Sequence, residues 1–325
     1  MPSPRYKVMD LETAVSSFVH SGDHISLGGF TINRNPMAAV YEIIRQRIKD
    51  LHVYAHSNGQ AVDTLVGAEC VGKIEIAYGG AGRFSPTCPR FKSAVESGRL
   101  TVEDYSNYQM TLRFMAGAMG VPFLPTRSGL GSDIIRKWGI PAADRAADPK
   151  LPDKKLHVAD NPFGTWGDTE KLVFVPAIYP DVTILHVQTA DTQGTVRIKG
   201  LPFSDIYQAN ASKRLIITCE EIVDPENLRQ YPDQNHIPFF RVDAVVHMPY
   251  GAYPTACYGH YDYDPVFLKA YAAAAMDNVA YEDHMTRYVH NVANHTAFLA
   301  LIGRERLERI AASPETGYAV GLERK

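Results

Sequence analysis

Apolar positions in the first half of the chain follow two alternating patterns: short hydrophobic runs that end in glycine, and longer stretches with an apolar residue every third or fourth position. Ile25-Ser26-Leu27 leads into Gly28-Gly29-Phe30, Val53-Tyr54-Ala55 into His56-Ser57-Asn58-Gly59, and Ile74-Glu75-Ile76-Ala77 into Tyr78-Gly79-Gly80-Ala81-Gly82. These runs predict strands. Between the first two, Met37, Val40, Tyr41 and Ile44 mark one helix face, with Asn35 as the expected N-cap, Pro36 in the first turn, and Arg45, Arg47 and Lys49 near the end that favours cations. Further helices are predicted from Arg90 to Glu96 and from Tyr108 to Met119, each stopped by a following glycine. Strand, glycine loop and helix in repetition is the mark of parallel βαβ units.

The second half restarts the strand pattern at Leu172 to Val175, Val182 to Val187, Leu215 to Thr218 and Val242 to His247. Thr189 to Thr195 reads as a hairpin in which Gly194 takes a positive φ. Asp264-Pro265 opens a helix-rich tail running to about Ala312. The expected fold is α/β, an open and mostly parallel sheet flanked by helices, with a helix-rich C-terminal part. Periodicity fades between residues 139 and 167, where Pro, Asp, Ala and Lys dominate. We read residues 1–325 as one domain, with a surface excursion or sub-boundary at 139–167.

In an open parallel sheet, loops at the carboxyl ends of strands form the ligand crevice, and glycine lets backbone approach a ligand closely. Gly28, Gly29, Phe30, Ser57, Asn58, Gly59, Gly79 and Gly80 are therefore candidate binding residues, their amides being possible donors to a thioester oxygen or a phosphate. Arg127, Gly129, Gly131 and Ser132 join them, because an arginine beside a glycine-rich turn suits a carboxylate. The glycine runs match neither the dinucleotide fingerprint nor the P-loop.

Composition narrows the class. The chain has 325 residues, 45% of them apolar, and a net charge of −3, which gives no field for nucleic acid or an anionic membrane. Four scattered cysteines fit a reducing cytoplasm, and the N-terminal Met1 to Lys7 has no apolar leader pattern. A cytoplasmic enzyme subunit without metal is expected.

Other candidates weigh less. Adjacent strand residues face opposite ways, so His56 is not expected to activate Ser57. His20 and His24 flank a turn, and His284, His290 and His295 are expected on helix surfaces. Glu103-Asp104 and Glu220-Glu221 carry carboxylates of the kind acyl transfer needs, although such pairs more commonly serve as solvated or helix-terminal charge. The Tyr- and Gly-rich stretch from Tyr250 to Asp264 is expected to face a partner subunit.

The runs His20-Ser21-Gly22-Asp23-His24-Ile25, Gly28-Gly29-Phe30, Glu103-Asp104-Tyr105-Ser106, Pro122-Phe123-Leu124-Pro125, Gly194-Thr195-Val196-Arg197-Ile198, Thr218-Cys219-Glu220-Glu221-Ile222 and Tyr250 to Asp264 resemble the A subunits of family I CoA-transferases of the glutaconate type. The resemblance covers nearly the whole chain. It implies a B-type partner subunit in a heterodimer, heterotetramer or octamer, and ping-pong exchange of CoA between acyl-CoA and a carboxylic acid such as glutaconate or a related dicarboxylate. It also implies that the nucleophilic glutamate sits in the B-type partner. Some B-type relatives carry Ser-Glu-Asn-Gly where this chain has Ser57 before Asn58-Gly59, so no catalytic residue is expected in this chain and CoA enters as substrate, not as a bound cofactor.

The Arg127 to Ser132 run is closer to related hydrolases that open rings of steroid-derived CoA thioesters. In those, the A-type chain supplies an acid in the segment where this chain has Asn107, which cannot act as a base. Two further readings stay open: a decarboxylase acting on a glutaconyl-type thioester, and a metabolite-binding protein without turnover.

Overall fold

The computed structural model describes residues 7–164 and 170–322, so the N-terminal Met1 to Tyr6 and residues 165–167 of the low-periodicity segment lie outside it. Among the described residues, eleven strands form two sheets. The first four are β1 (His24–Leu27), β2 (Leu51–Asn58), β3 (Val71–Gly79) and β4 (Thr101–Asp104). The next three, β5 (Phe123–Thr126), β6 (His157–Asp160) and β7 (Lys171–Pro176), make a small antiparallel sheet in the order β5-β7-β6. The chain then enters β8 (Val182–Asp191), β9 (Val196–Arg197), β10 (Arg214–Val223) and β11 (Ala244–His247).

The main sheet runs β11-β10-β8-β1-β2-β3-β4, with β9 folded back antiparallel on β8 and every other pair parallel. Every residue of β8 is buried, as expected for a strand covered on both faces. The chain steps outward from β1 through β4 on one side and from β8 to β11 on the other. The strand order thus reverses between β1 and β8, the position at which open α/β sheets leave a crevice.

The predicted strands and helices all form, and Gly194 takes φ +102° in the hairpin. One cap differs. Asn35 does not cap the helix Met37–Arg45; its Oδ1 accepts the Ala61 amide at 3.2 Å and so caps the next helix, Gln60–Gly67. Ser106 caps Asn107–Met119 with a reciprocal box to Gln109, and Gly120 closes it at φ +70°.

Residues 139–164 are fastened to the sheet by buried charge. Glu103 of β4 is fully buried and accepts the amides of Gly139 and Ile140 together with Arg145 and Lys155. A segment held by ion pairs needs no apolar period, which is why its packing left no periodic signal.

The helical tail straps across Gln60–Gly67: Tyr271 Oη donates to Asp63 Oδ2 at 2.9 Å and Tyr281 Oη to Thr64 O at 3.1 Å. Two of its histidines depart from the surface expectation. His295 is buried with Nε2 2.9 Å from Pro249 O, and His284 packs among Phe267, Tyr271 and Tyr288. Burial pushes both rings down to about 4. The unfolded chain binds these protons from about pH 6.5, whereas the folded chain refuses them until about 4. Stability is therefore full above pH 6.5 and falls as pH drops through that window. Urea midpoints measured between pH 7 and 4.5 should fall for the wild type and fall less steeply for His284→Phe; parallel slopes would contradict this.

Candidate functional site

The three glycine loops meet at the carboxyl ends of β1, β2 and β3. Thr31 N donates to Ser57 O at 3.0 Å, Gly80 N to Asn58 O at 3.2 Å, and Asn58 Nδ2 to Gly28 O at 3.3 Å. The expectation of free amide donors is not met at four of these positions. Gly28 N is held by Ile184 O, Gly29 N by Asp205 Oδ1, Phe30 N by Asn33 O and Gly80 N by Asn58 O. The glycines serve close packing instead: a side chain at Gly28 would strike Leu185, one at Gly79 would press on Phe91, and one at Gly80 would strike Tyr78.

Ser57 and His56 face opposite ways, as alternation requires. Ser57 Oγ donates to Asn107 Oδ1 at 2.5 Å, while the His56 ring packs against Phe30, 5.7 Å between centroids. Burial lowers the affinity of His56 for a proton, opposed by the Asn107 backbone and Asp205. The Arg127 loop reaches the same region through Ser128, whose Oγ is 3.3 Å from Ser106 Oγ and whose carbonyl accepts Gln109 Nε2. The Ser132 hydroxyl turns back on Gly129 O, and Gly129 and Gly131 take positive φ. The Arg127 side chain is exposed and makes no hydrogen bond or ion pair to a described residue.

Beside this cluster, at the β1/β8 reversal, lies a cleft of about 640 Å³ lined by Phe30, Thr31, Arg34, Lys199, Phe203 and Tyr258 among others. Of the sequence-predicted site residues, only Phe30 lines it. Phe30 and Phe203 stack at 4.9 Å, and the Arg34 guanidinium lies over Phe203. Thr31, Arg34 and Phe203 hold φ of +48°, +48° and +50°. Non-glycine residues rarely adopt this conformation, and its concentration in one cleft wall is characteristic of functional sites. Lys199 is exposed at the rim.

The carboxylates buried under the cleft are spoken for. Asp205 accepts Gly29 N and Arg34 Nη1, the latter at 2.6 Å, and Asp262 accepts the Ala319 amide. Glu220 lies inside β10, where its carboxylate bonds His186 Nε2 at 2.6 Å, Tyr261 Oη at 2.7 Å and the Tyr250 amide at 2.8 Å. Burial opposes its ionisation, yet the bonds from His186, Tyr261 and the Tyr250 amide hold its carboxyl below the usual range. Glu103 and Glu220 are thus buried structural acids, not solvated or helix-terminal charge. The Tyr250 to Asp264 stretch is corrected by the same observation. Tyr253, Cys257 and Tyr261 are buried, and the tyrosine hydroxyls of Tyr253 and Tyr261 satisfy Asp264 and Glu220 inside the molecule. This stretch reads as polar in sequence because it supplies hydroxyls to buried acids.

Residues 8–248 match the family model for coenzyme A transferase. The chain belongs to the coenzyme A transferase family. It is 41% identical to the A subunit of glutaconate CoA-transferase from Acidaminococcus fermentans over 98% of this chain and 99% of the relative. It is 32% identical to the A subunit of 3-oxoadipate CoA-transferase from Pseudomonas knackmussii, over 91% of this chain and 98% of that one. The crystal structure of glutaconate coenzyme A-transferase from Acidaminococcus fermentans superposes with a TM-score of 0.93 at 42% identity, covering 97% of this chain and 98% of the other. The open, mostly parallel sheet with its flanking helices is therefore a fold this chain shares with that enzyme. Thr31, Arg34, Lys199 and Phe203 escape a reading of the sequence, because only the strand order brings the loop after β9 against the loop after β1.

Proposed function

We propose that this chain is the A-type subunit of a cytoplasmic two-subunit CoA-transferase, which exchanges CoA between an acyl-CoA and glutaconate or a similar dicarboxylate. The observation that carries the reading is the absence of an unengaged carboxylate among the described buried acids of the cleft, Asp205, Glu220 and Asp262. Acyl transfer through an enzyme thioester needs a free carboxylate nucleophile. A B-type subunit supplies it across the cleft in this reading. That carboxylate attacks the acyl carbonyl and expels CoA thiolate; the thiolate returns to the glutamyl carbonyl and releases the first acid. The incoming acid then reverses both steps.

This chain contributes walls and charge. Phe30 and Phe203 exclude water from the acyl portion, Ser57 and Asn107 form a polar ledge, and Arg127 and Lys199 offer cations to carboxylate or phosphate. Asn107 accepts the Ser57 hydroxyl and cannot take up a proton at neutral pH, which weighs against this chain acting as the base of a ring-opening hydrolysis.

The test is product analysis by mass spectrometry of this chain co-expressed with a B-type subunit, given glutaconyl-CoA and acetate. Acetyl-CoA should form only when both chains are present. Free CoA, or carbon dioxide without acetyl-CoA, would overturn the transferase reading.

A further inference from the structure

At the opposite, amino-terminal edge of the sheet lies a second polar cluster that acyl transfer does not use. His24 opens β1 and His52 lies at the start of β2, with rings 4.3 Å apart between centroids. Asp148 comes to them from the segment after β5, just beyond the helix Ala142–Ala147. Ligand atoms of His24, His52 and Asp148 all lie within 4.8 Å of one another. We propose that His24, His52 and Asp148 bind a divalent transition metal of the zinc class, tying β1 and β2 to the 139–164 segment.

The surroundings prepare the donors as a metal site requires. Histidine ligands characteristically use one ring nitrogen while the other is fixed by a carboxylate or other polar group. His52 Nε2 lies 3.0 Å from Glu75 Oε1, and Glu75 is itself paired with Arg113, so the ionised acid fixes the proton on Nε2. The other nitrogen, Nδ1, is buried without a hydrogen-bond partner, on a residue only 3% exposed. His24 Nδ1 is held 2.8 Å from Tyr54 Oη, and its Nε2 lies 2.8 Å from Asp148 Oδ2. Asp148 Oδ1 is occupied by the Lys150 amide, which leaves Oδ2 for the metal.

Two imidazoles and one carboxylate suit zinc, with water completing the set. That water has room: an open pocket of about 420 Å³, bounded by Gly22, His24, Lys73, Asp144, Asp148 and Lys150, leads to the cluster. The lysines there are matched by Asp144 and Asp181, so they do not leave a bare positive field. Ligation through Nε2 requires the single proton of the neutral His24 ring to sit on Nδ1, where Tyr54 Oη accepts it, so the metal takes the place of the hydrogen bond to Asp148 with no net proton released. His20, four residues before His24, is exposed and faces Asp23 outside the cluster.

The test is titration of the chelator-stripped full chain with Zn²⁺ by calorimetry, with Co²⁺ absorption reporting coordination. One zinc per chain should bind, Co²⁺ should give the intense bands of a four- or five-coordinate site, and zinc should raise Tm by about 3 °C or more. Asp148→Asn should weaken binding about 100-fold and Tyr54→Phe about 10-fold. His20→Ala should leave binding unchanged. Lack of stoichiometric uptake by the wild type, or uptake equal in Asp148→Asn and wild type, would overturn the proposal, as would loss in His20→Ala.

Discussion

Glu75→Leu is expected to destabilise the chain by about 3–5 kcal/mol, the largest stability loss of any single substitution argued for this fold. Glu75 lies in the middle of β3 with no exposure and bonds both Arg113 and His52. Arg113, also without exposure, reaches it from the helix Asn107–Met119, donates Nε to Pro176 O at 3.2 Å, and lies 4.3 Å from the Tyr105 ring centroid. Burial opposes charge on Arg113, but Glu75 more than offsets it and raises the guanidinium's proton affinity. Removing the acid alone therefore leaves a desolvated cation that cannot discharge. Replacing both, as Glu75→Leu with Arg113→Met, should recover most of the loss, since two well-packed apolar groups need no compensation. Breaking the exposed Arg304 to Glu308 pair should leave stability almost unchanged, because water screens it. Urea unfolding of the four proteins checks the set. A single-variant loss under about 1 kcal/mol, or a double variant no better than the single, would contradict it.

The Glu75 and Arg113 pair also marks where sequence reading stops. Ile74-Glu75-Ile76 reads as a strand from its apolar flanks, and it is one. Nothing local announces that Glu75 faces a buried arginine from a helix that begins 32 residues later, since the interval from 75 to 107 contains a whole further βα unit. The same division runs through the molecule. Strand and helix identities, Gly194 in its hairpin and Gly120 at its cap follow from local chemistry and are legible. The β1/β8 reversal depends on β8 choosing β1 as neighbour over the edge strand β4, and that choice rests on non-local burial. Hence Phe30 can be found as a cleft residue whereas Phe203, which stacks on it from 173 positions away, cannot. The tyrosine-rich stretch shows the converse error. Its hydroxyls look like a wet surface because their partners, Glu220 and Asp264, are acids that sequence polarity places outside.

Gly59→Ala is expected to lower kcat/KM of the two-subunit enzyme by about 100-fold or more, a larger effect than its stability cost of about 1–3 kcal/mol would suggest. Gly59 has φ −115°, outside the left-handed region that favours glycine, and contact with its neighbours is what constrains it. A Cβ there would lie 2.6 Å from Gly80 O and 2.8 Å from Thr31 O, backbone atoms of the loops on either side. Backbone of two hydrogen-bonded loops cannot swing aside as a flexible side chain can. The added methyl would drive the β1 and β3 loops apart, and the β1 loop carries Phe30 and Thr31 into the cleft wall. Displacing a positioning wall by about 1 Å costs on the order of 100-fold in rate even where the chemistry belongs to another chain. Gly98→Ala separates this from simple destabilisation. Gly98 sits at φ +71° with open space around its missing side chain, so alanine there should cost about 1 kcal/mol through backbone strain alone. Assayed with the same B-type partner and compared at equal folded fraction, Gly98→Ala should match wild-type turnover while Gly59→Ala does not. Equal activity in the two variants would mean that the glycine junction shapes only the fold.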